Sequence, residues 1–212
     1  MKILAVALLV ALAIFLVLYV TLVGRRRLAQ RTTTLVPVPP PVPGSDTGGS
    51  GASAVGPVRF GPLEAVYVST TLHGDWLARV GAHGLGDRSS ALVSVHDAGP
   101  GQDGGVLIER DGAQDLWVPV NTIRSAGLAP GMAGKYVGTD GLVVLTWAVP
   151  EADGVAAALV DTGLRTRRAE DRGGLVDAVR YLLAAQQAQQ AHNPQQHPQK
   201  HPQQYPYQQE AR

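Results

Sequence analysis

Residues 142–149 read Leu-Val-Val-Leu-Thr-Trp-Ala-Val, a nearly all-apolar run that follows the turn dipeptide Asp140-Gly141. A short run of this kind, rich in β formers and bounded by turn residues, is typical of a strand that is buried on both faces. We therefore predict that these residues form a central strand of a β-sheet.

Further strands are predicted on both sides of this run. Residues 91–96 alternate in the manner of a half-buried strand, and Asp111-Gly112 predicts a hairpin turn. The other predicted strands are residues 65–71, 106–108, 116–118 and 156–162.

The periodicity changes after the last predicted strand. Apolar residues recur there at helical spacing, namely Leu175, Val176, Val179, Leu182 and Leu183. Asp171 precedes them as the predicted N-cap. Six or seven short strands followed by one amphipathic helix predict an α+β fold, in which the helix covers an open sheet or plugs a barrel.

The N-terminal part of the chain has a different character. Residues 3–23 are 21 consecutive residues without a charge. At about 1.5 Å per residue, a helix of this length crosses a hydrocarbon core of about 30 Å. We therefore predict a transmembrane helix that binds the chain to the lipid bilayer.

The charges that flank this segment predict its orientation. Lys2 alone precedes it, whereas Arg25, Arg26, Arg27 and Arg31 follow it. Because positive flanks stay in the cytoplasm, we expect a single-pass protein of the plasma membrane with its N-terminus outside and its domain in the cytoplasm. The alternative is a cleaved signal peptide, which would place the domain outside. The apolar core is longer than the roughly 7–15 residues of a signal peptide, which favours the anchor.

Composition divides the chain into four predicted segments. They are a transmembrane anchor (1–24), a basic flank and Pro/Gly-rich linker (25–60), a globular domain (61–185) and a disordered Gln/Pro/His tail (186–212). Few linker residues, and almost none in the tail, are suited to a core. The globular segment has 15 acidic and 10 basic residues, a net charge of −5, which disfavours nucleic acid and anionic lipid as partners.

No stretch of the sequence carries a complete catalytic motif. Residues 131–135 are similar to part of a phosphate-binding loop, but Ala129 and Tyr136 stand where that loop needs Gly and Ser or Thr. The chain has no cysteine, and its histidines have no accompanying nucleophile motif. We therefore expect no enzymatic activity, no cofactor and no small-molecule substrate.

For two clusters of polar residues we favour an interpretation without a functional site. The tail holds His192, His197 and His201, at a spacing suited only to adventitious metal binding, so no functional metal site is expected. The basic cluster of the globular segment is Arg165, Arg167, Arg168 and Arg172. Acidic neighbours favour a self-paired surface for this cluster over contact with an anionic membrane.

Several short motifs together resemble a known family. They are Tyr67-Val-Ser-Thr-Thr71, Gly74-Asp-Trp-Leu77, His83-Gly-Leu-Gly86, Gly131-Met-Ala-Gly-Lys135, Leu142-Val-Val-Leu-Thr-Trp147 and Asp161-Thr-Gly163. The family consists of single-pass membrane proteins of high-GC bacteria, which carry a pleckstrin-homology-like (PH-like) domain behind an N-terminal anchor. The resemblance covers residues 1–26 and 61–185. It implies a strongly bent sheet or barrel of about seven strands capped by a C-terminal helix, and it implies no catalytic or ligand residues.

These observations lead to one main functional hypothesis and one alternative. The main hypothesis is a membrane-anchored interaction or scaffold module at the inner face of the plasma membrane, which recruits a membrane or cytoplasmic protein. The alternative is an accessory subunit of a membrane export, transport or envelope complex. Trp76, Met132 and Lys135 lie in Gly-rich loops and are the predicted contacts with the partner. Arg25, Arg26 and Arg27 are predicted only to flank the membrane.

Overall fold

The computed structural model describes residues 9–19, 35–45 and 54–192. Residues 9–19 form a helix, α1, within the predicted anchor. No helix within the described ranges is both long and apolar enough to cross a membrane. The rest of residues 1–24, the flanking Arg25, Arg26 and Arg27, and the tail beyond residue 192 lie outside the described residues.

Eleven strands and a second helix follow in residues 54–192. The strands are β1 (Ala54–Val55), β2 (Val58–Leu72), β3 (Ser89–His96), β4 (Gln102–Asp103), β5 (Gly105–Arg110), β6 (Leu116–Pro119), β7 (Ile123–Ala129), β8 (Gly131–Met132), β9 (Lys135–Tyr136), β10 (Leu142–Val149) and β11 (Ala158–Thr166). Helix α2 (Asp171–His192) completes this order.

Seven of the strands form one antiparallel sheet in the order β6-β5-β3-β2-β11-β10-β7. The long strand β2 joins its two halves, because residues 58–67 pair with β3 and residues 65–72 pair with β11. In the described part of the chain, β6 and β7 are edge strands that do not pair with each other. The sheet is therefore open, and the closed barrel that is one of the two predicted arrangements is not formed.

The structure confirms the six predicted strands, adds one more to the seven-stranded sheet, and has two further pairs of two-residue strands, β1 with β4 and β8 with β9. Strand β10 is interior but lies next to the edge, and its inward residues Val143, Leu145 and Trp147 are fully buried. The added strand is β7, which the sequence pattern does not predict because only Ile123 and Ala126 of its residues are buried. An edge strand with so few inward side chains has no clear alternation in its sequence.

The predicted apolar face of α2 packs on the sheet. Leu175, Val176, Val179 and Leu182 are at most 4% exposed and belong to the main core. The helix contacts β2, β3, β7 and β10. The predicted role of these residues is confirmed, and the helix closes one side of the bent sheet.

The folded unit extends beyond the predicted boundaries of 61 and 185. Strand β2 begins at Val58, and α2 continues to His192. The helix continues because Ala and Gln favour helix, and the first proline after it is Pro194. Within the predicted linker, where few residues are expected to suit a core, Val36 and Pro37 are buried and Val36 joins the main core.

A one-way chain of hydrogen bonds crosses the core. Tyr67 Oη donates to the carbonyl oxygen of Leu85 at 2.8 Å, so its oxygen must accept from Thr70 Oγ1 at 2.6 Å. Thr70 in turn accepts from Thr162 Oγ1 at 2.8 Å, and Thr162 accepts from Trp147 Nε1 at 2.9 Å. The chain links β10, β11 and β2 to the loop before β3, and every hydroxyl in it has a defined direction.

Candidate functional site

Two segments meet at one end of the sheet. The loop of residues 73–88 connects β2 to β3, and the hairpin of β8 and β9 lies against it. The backbone N–H of Ala133, in the hairpin turn, donates to the carbonyl oxygen of Trp76 at 2.8 Å. The carboxylate of Asp75 accepts from the N–H groups of Leu77 and Ala78 at 3.0 and 3.2 Å, and so fixes the loop beside the hairpin.

These two segments expose large side chains. Trp76 is 56% exposed, Leu77 61% and Tyr136 73%, and Lys135 is also exposed. We call these four residues the loop surface. Two predicted contact residues, Trp76 and Lys135, are therefore exposed in adjoining segments, and the sequence analysis missed Leu77 and Tyr136. Leu77 directly follows Trp76, and Tyr136 directly follows Lys135, so their positions in the sequence could have indicated both.

Met132 does not belong to the loop surface. It is 3% exposed and forms a small apolar cluster with Val68 and Leu142 on the outer face of the sheet. Its thioether lies over Gly163, whose missing side chain leaves the space for it. Met132, predicted as a possible contact, is therefore not exposed, and its side chain packs the hairpin against the sheet.

Comparison with known proteins identifies the family of this domain. Residues 49–180 match the sequence model of a family described as bacterial PH domain-like. The chain belongs to the bacterial PH domain-like family. No curated protein and no solved structure matches the chain. Membership agrees with the seven-stranded antiparallel sheet and C-terminal helix, and it supports a general interaction or scaffold role.

The PH-like domain also has an open groove of about 790 Å³ on β2, β3, β5 and β11. Its lining includes Glu64, Leu92, Glu109, Arg165 and Arg167. Arg167 forms a salt bridge with Glu64 in this groove, and both side chains are largely exposed. The predicted self-pairing of the arginine cluster is thus present for Arg167. Its mixed charge and open shape give this groove no evident ligand.

One cluster of polar residues in the PH-like domain joins His73, Asp161 and Thr146. His73 Nδ1 lies 3.0 and 3.1 Å from the two carboxylate oxygens of Asp161. Thr146 donates its hydroxyl hydrogen to the same carboxylate at 2.6 Å, so it is not aligned as a nucleophile on the histidine ring. Within the described ranges, no group of three His, Cys, Asp or Glu residues is arranged to hold a metal ion.

Proposed function

We propose that the chain is a membrane-anchored PH-like interaction module whose loop surface binds a protein partner. The observation that carries the proposal is the Ala133–Trp76 hydrogen bond, which joins the loop that exposes Trp76 and Leu77 to the hairpin that exposes Tyr136. Trp and Tyr are enriched in protein interfaces because they bury much area and lose little conformational entropy. The net charge of −5 over residues 61–185 favours a protein over an anionic lipid surface.

The membrane part of the proposal rests on the sequence. The uncharged residues 3–23 supply the anchor, and Arg25, Arg26 and Arg27 favour the cytoplasmic face for the domain. Protease added to intact cells without their wall should leave residues 61–185 undigested, and should digest them once the membrane is permeabilised. Digestion in intact cells would place the domain outside.

Photo-crosslinking in cells tests the loop surface. A photoreactive amino acid at position 136 of the full chain should give a discrete protein adduct, whereas the same group at Gln187, exposed on α2, should not. Trp76→Ala should abolish the adduct. Tyr181→Ala is the matched control, because Tyr181 is also 56% exposed but lies on α2.

Two results of this experiment would contradict the proposal. Equal adducts from positions 136 and 187 would show that the loop surface is not selective. Adducts with lipid, lost on Lys135→Glu, would replace the protein partner with a membrane surface.

An accessory subunit of a membrane complex is the second candidate. Small residues at Ala5, Ala7, Ala11 and Ala13 permit close contact with neighbouring helices. Exchange of residues 3–23 for an unrelated spanning helix distinguishes the candidates. An interaction module keeps its crosslinks after the exchange, whereas a complex subunit that packs through its anchor loses them.

A further inference from the structure

The segment of residues 35–45 shows a three-residue rhythm of exposure. The exposed residues are Leu35, Val38, Pro41 and Gly44, together with Ser45 at the end of the segment. The residues between them are buried or half-buried in pairs, namely Val36 and Pro37, Pro39 and Pro40, and Val42 and Pro43. A polyproline II helix has three residues per turn, so two of its three rows lie against the domain and the third faces solvent.

The end of this segment is a defined turn. Ser45 donates its N–H to the carbonyl oxygen of Val42 at 3.1 Å, and Gly44 between them has a φ of +80°. A glycine with positive φ after a proline is the signature of a type II turn. The docked stretch therefore ends at Pro43.

The domain surface that receives the segment lies between the β2–β3 loop and the β5–β6 turn. Val36 is fully buried and joins the main core. Pro39 and Pro40 line a small cleft together with His83, Leu85, Arg110, Gln114, Asp115 and Leu116. The segment therefore adjoins the domain along several residues and not at Val36 alone.

His83 supplies a directional contact to this segment. Its Nε2 lies 3.1 Å from the carbonyl oxygen of Val36, and since a carbonyl only accepts, the ring nitrogen donates. His83 has a φ of +53°, in the left-handed region that is unfavourable for residues other than glycine. A polyproline II peptide leaves its carbonyls free, so a donor held in a fixed position is suited to recognise it.

We propose that this end of the PH-like domain is a polyproline II binding site, and that the chain's own residues 36–43 are its resident ligand. The ligand class is a proline-rich peptide. It has an apolar residue at the position of Val36, and in each following turn two successive residues face the domain. The site is separate from the loop surface and does not depend on the proposed function. Because the resident segment is on the same chain, an external peptide binds only when that segment leaves.

The test uses the full chain and a fluorescent synthetic peptide of residues 34–45. Val36→Asp places a carboxylate at a fully buried position and should release the resident segment. The released chain should bind the wild-type peptide at least about 10-fold more tightly than the wild-type chain does. Val38→Asp is the matched control: Val38 is 45% exposed, so this chain should behave like the wild type.

Variants of the peptide test the register. On the released chain, a peptide with the Val36→Asp change should not bind, whereas one with Val38→Asp should bind like the wild-type peptide. His83→Ala in the released chain should weaken binding several-fold. If Val36→Asp prevents folding, Pro39→Gly with Pro40→Gly releases the segment and leaves Val36 in place.

Two results would overturn the proposal. Equal affinity of the wild-type and the folded, released chains would show that the peptide binds elsewhere. No binding by any folded, released chain would show that the surface holds its own segment only as part of the fold.

Discussion

The indole Nε1–H of Trp147 donates a hydrogen bond to Thr162 Oγ1 across 2.9 Å, and both groups are buried. Thr162, on β11, connects β10 to β2 in the chain of hydrogen bonds, because its hydroxyl oxygen also lies 2.8 Å from Thr70 Oγ1. A buried network of this kind is stable only when every member has its partner. The energetics of the core should therefore depend on hydroxyl groups as well as on apolar contact.

Replacement of Thr162 tests this network. Thr162→Val keeps the volume but leaves the Trp147 N–H without its acceptor, whereas the Thr70 hydroxyl loses one donor and keeps its bond to Tyr67, so we expect a loss of about 1–3 kcal/mol. Thr162→Ser should retain most of the stability. Urea unfolding of the full chain measures both. Thr71→Val is a matched control, since Thr71 Oγ1 is buried without a partner among the described residues, and its removal should be neutral or stabilising. Equal losses for Thr71→Val and Thr162→Val would refute the network.

Tyr67 gives the domain a pH dependence in the alkaline range. Burial raises the pKa of Tyr67 to about 12, against the opposing effects of the Thr70 hydrogen bond and the Arg110 charge. The pKa of the unfolded residue is about 10, so the folded state holds the phenolic proton more tightly. This contribution is complete below about pH 10 and is lost as the pH rises to about 12.

Tyr67→Phe separates this contribution from other alkaline titrations. The variant should be less stable at pH 7 by about 1–3 kcal/mol, because the Thr70 hydroxyl loses its acceptor and the carbonyl of Leu85, which keeps the backbone N–H of Thr70, loses its second donor. Its stability should fall less steeply than that of the wild type between about pH 10 and 12. Urea unfolding at several pH values gives both slopes, and parallel slopes would mean that Tyr67 is not the titrating group.

Gly163 and Met132 should be energetically coupled. A Cβ at Gly163 would lie 2.7 Å from Met132 Sδ, so Gly163→Ala must displace the methionine and loosen the hairpin, at a cost of about 1–3 kcal/mol. In the Met132→Ala chain, the same change should cost less than half as much. Gly127→Ala is the control, because no atom lies within 4 Å of the position that its methyl group would occupy, and it should be neutral or slightly stabilising. Additive effects at Gly163 and Met132 in thermal unfolding would argue against the contact.

The inner face of α2 should carry much of the helix's stability. Leu182 is 3% exposed, so Leu182→Ala should cost about 2–5 kcal/mol. Gln187→Ala, at an exposed position on the same helix, should change the free energy of unfolding by less than about 0.5 kcal/mol. A loss below about 0.5 kcal/mol for Leu182→Ala would mean that this face is not packed on the sheet.

The sequence predicts the parts of the fold that depend on local pattern. The apolar run of β10 and the helical spacing of Leu175, Val179 and Leu182 each identify an element without knowledge of its neighbours. Strand β7 escapes prediction because an edge strand buries few of its own side chains. Burial of Val36 is not predictable either, because a Pro-rich stretch is typical of a linker, and its docking depends on His83 and Leu116, which are distant in sequence.

The candidate site is predicted in part for the same reason. Gly-rich loops with Trp76 and Lys135 predict exposed contacts, and the structure exposes both residues in adjoining segments. Met132 has the character of a contact residue, but the glycine that makes room for it is in another strand. Space of this kind is visible only when the strands are assembled.

Docking of residues 36–43 changes how far the domain can travel from a bilayer. In a chain anchored through residues 3–23 as proposed, only residues 24–35 connect the anchor to the docked segment, which limits the reach to about 40 Å. With the segment released, the tether of residues 24–53 would reach about 100 Å when fully extended. Since the volume searched grows with the cube of the reach, docking raises the effective concentration of the domain near the membrane roughly 15-fold. A partner that is itself at the membrane would meet the docked form of the domain more often. Release of the segment would lower the local concentration of the domain and increase the distance that it can reach.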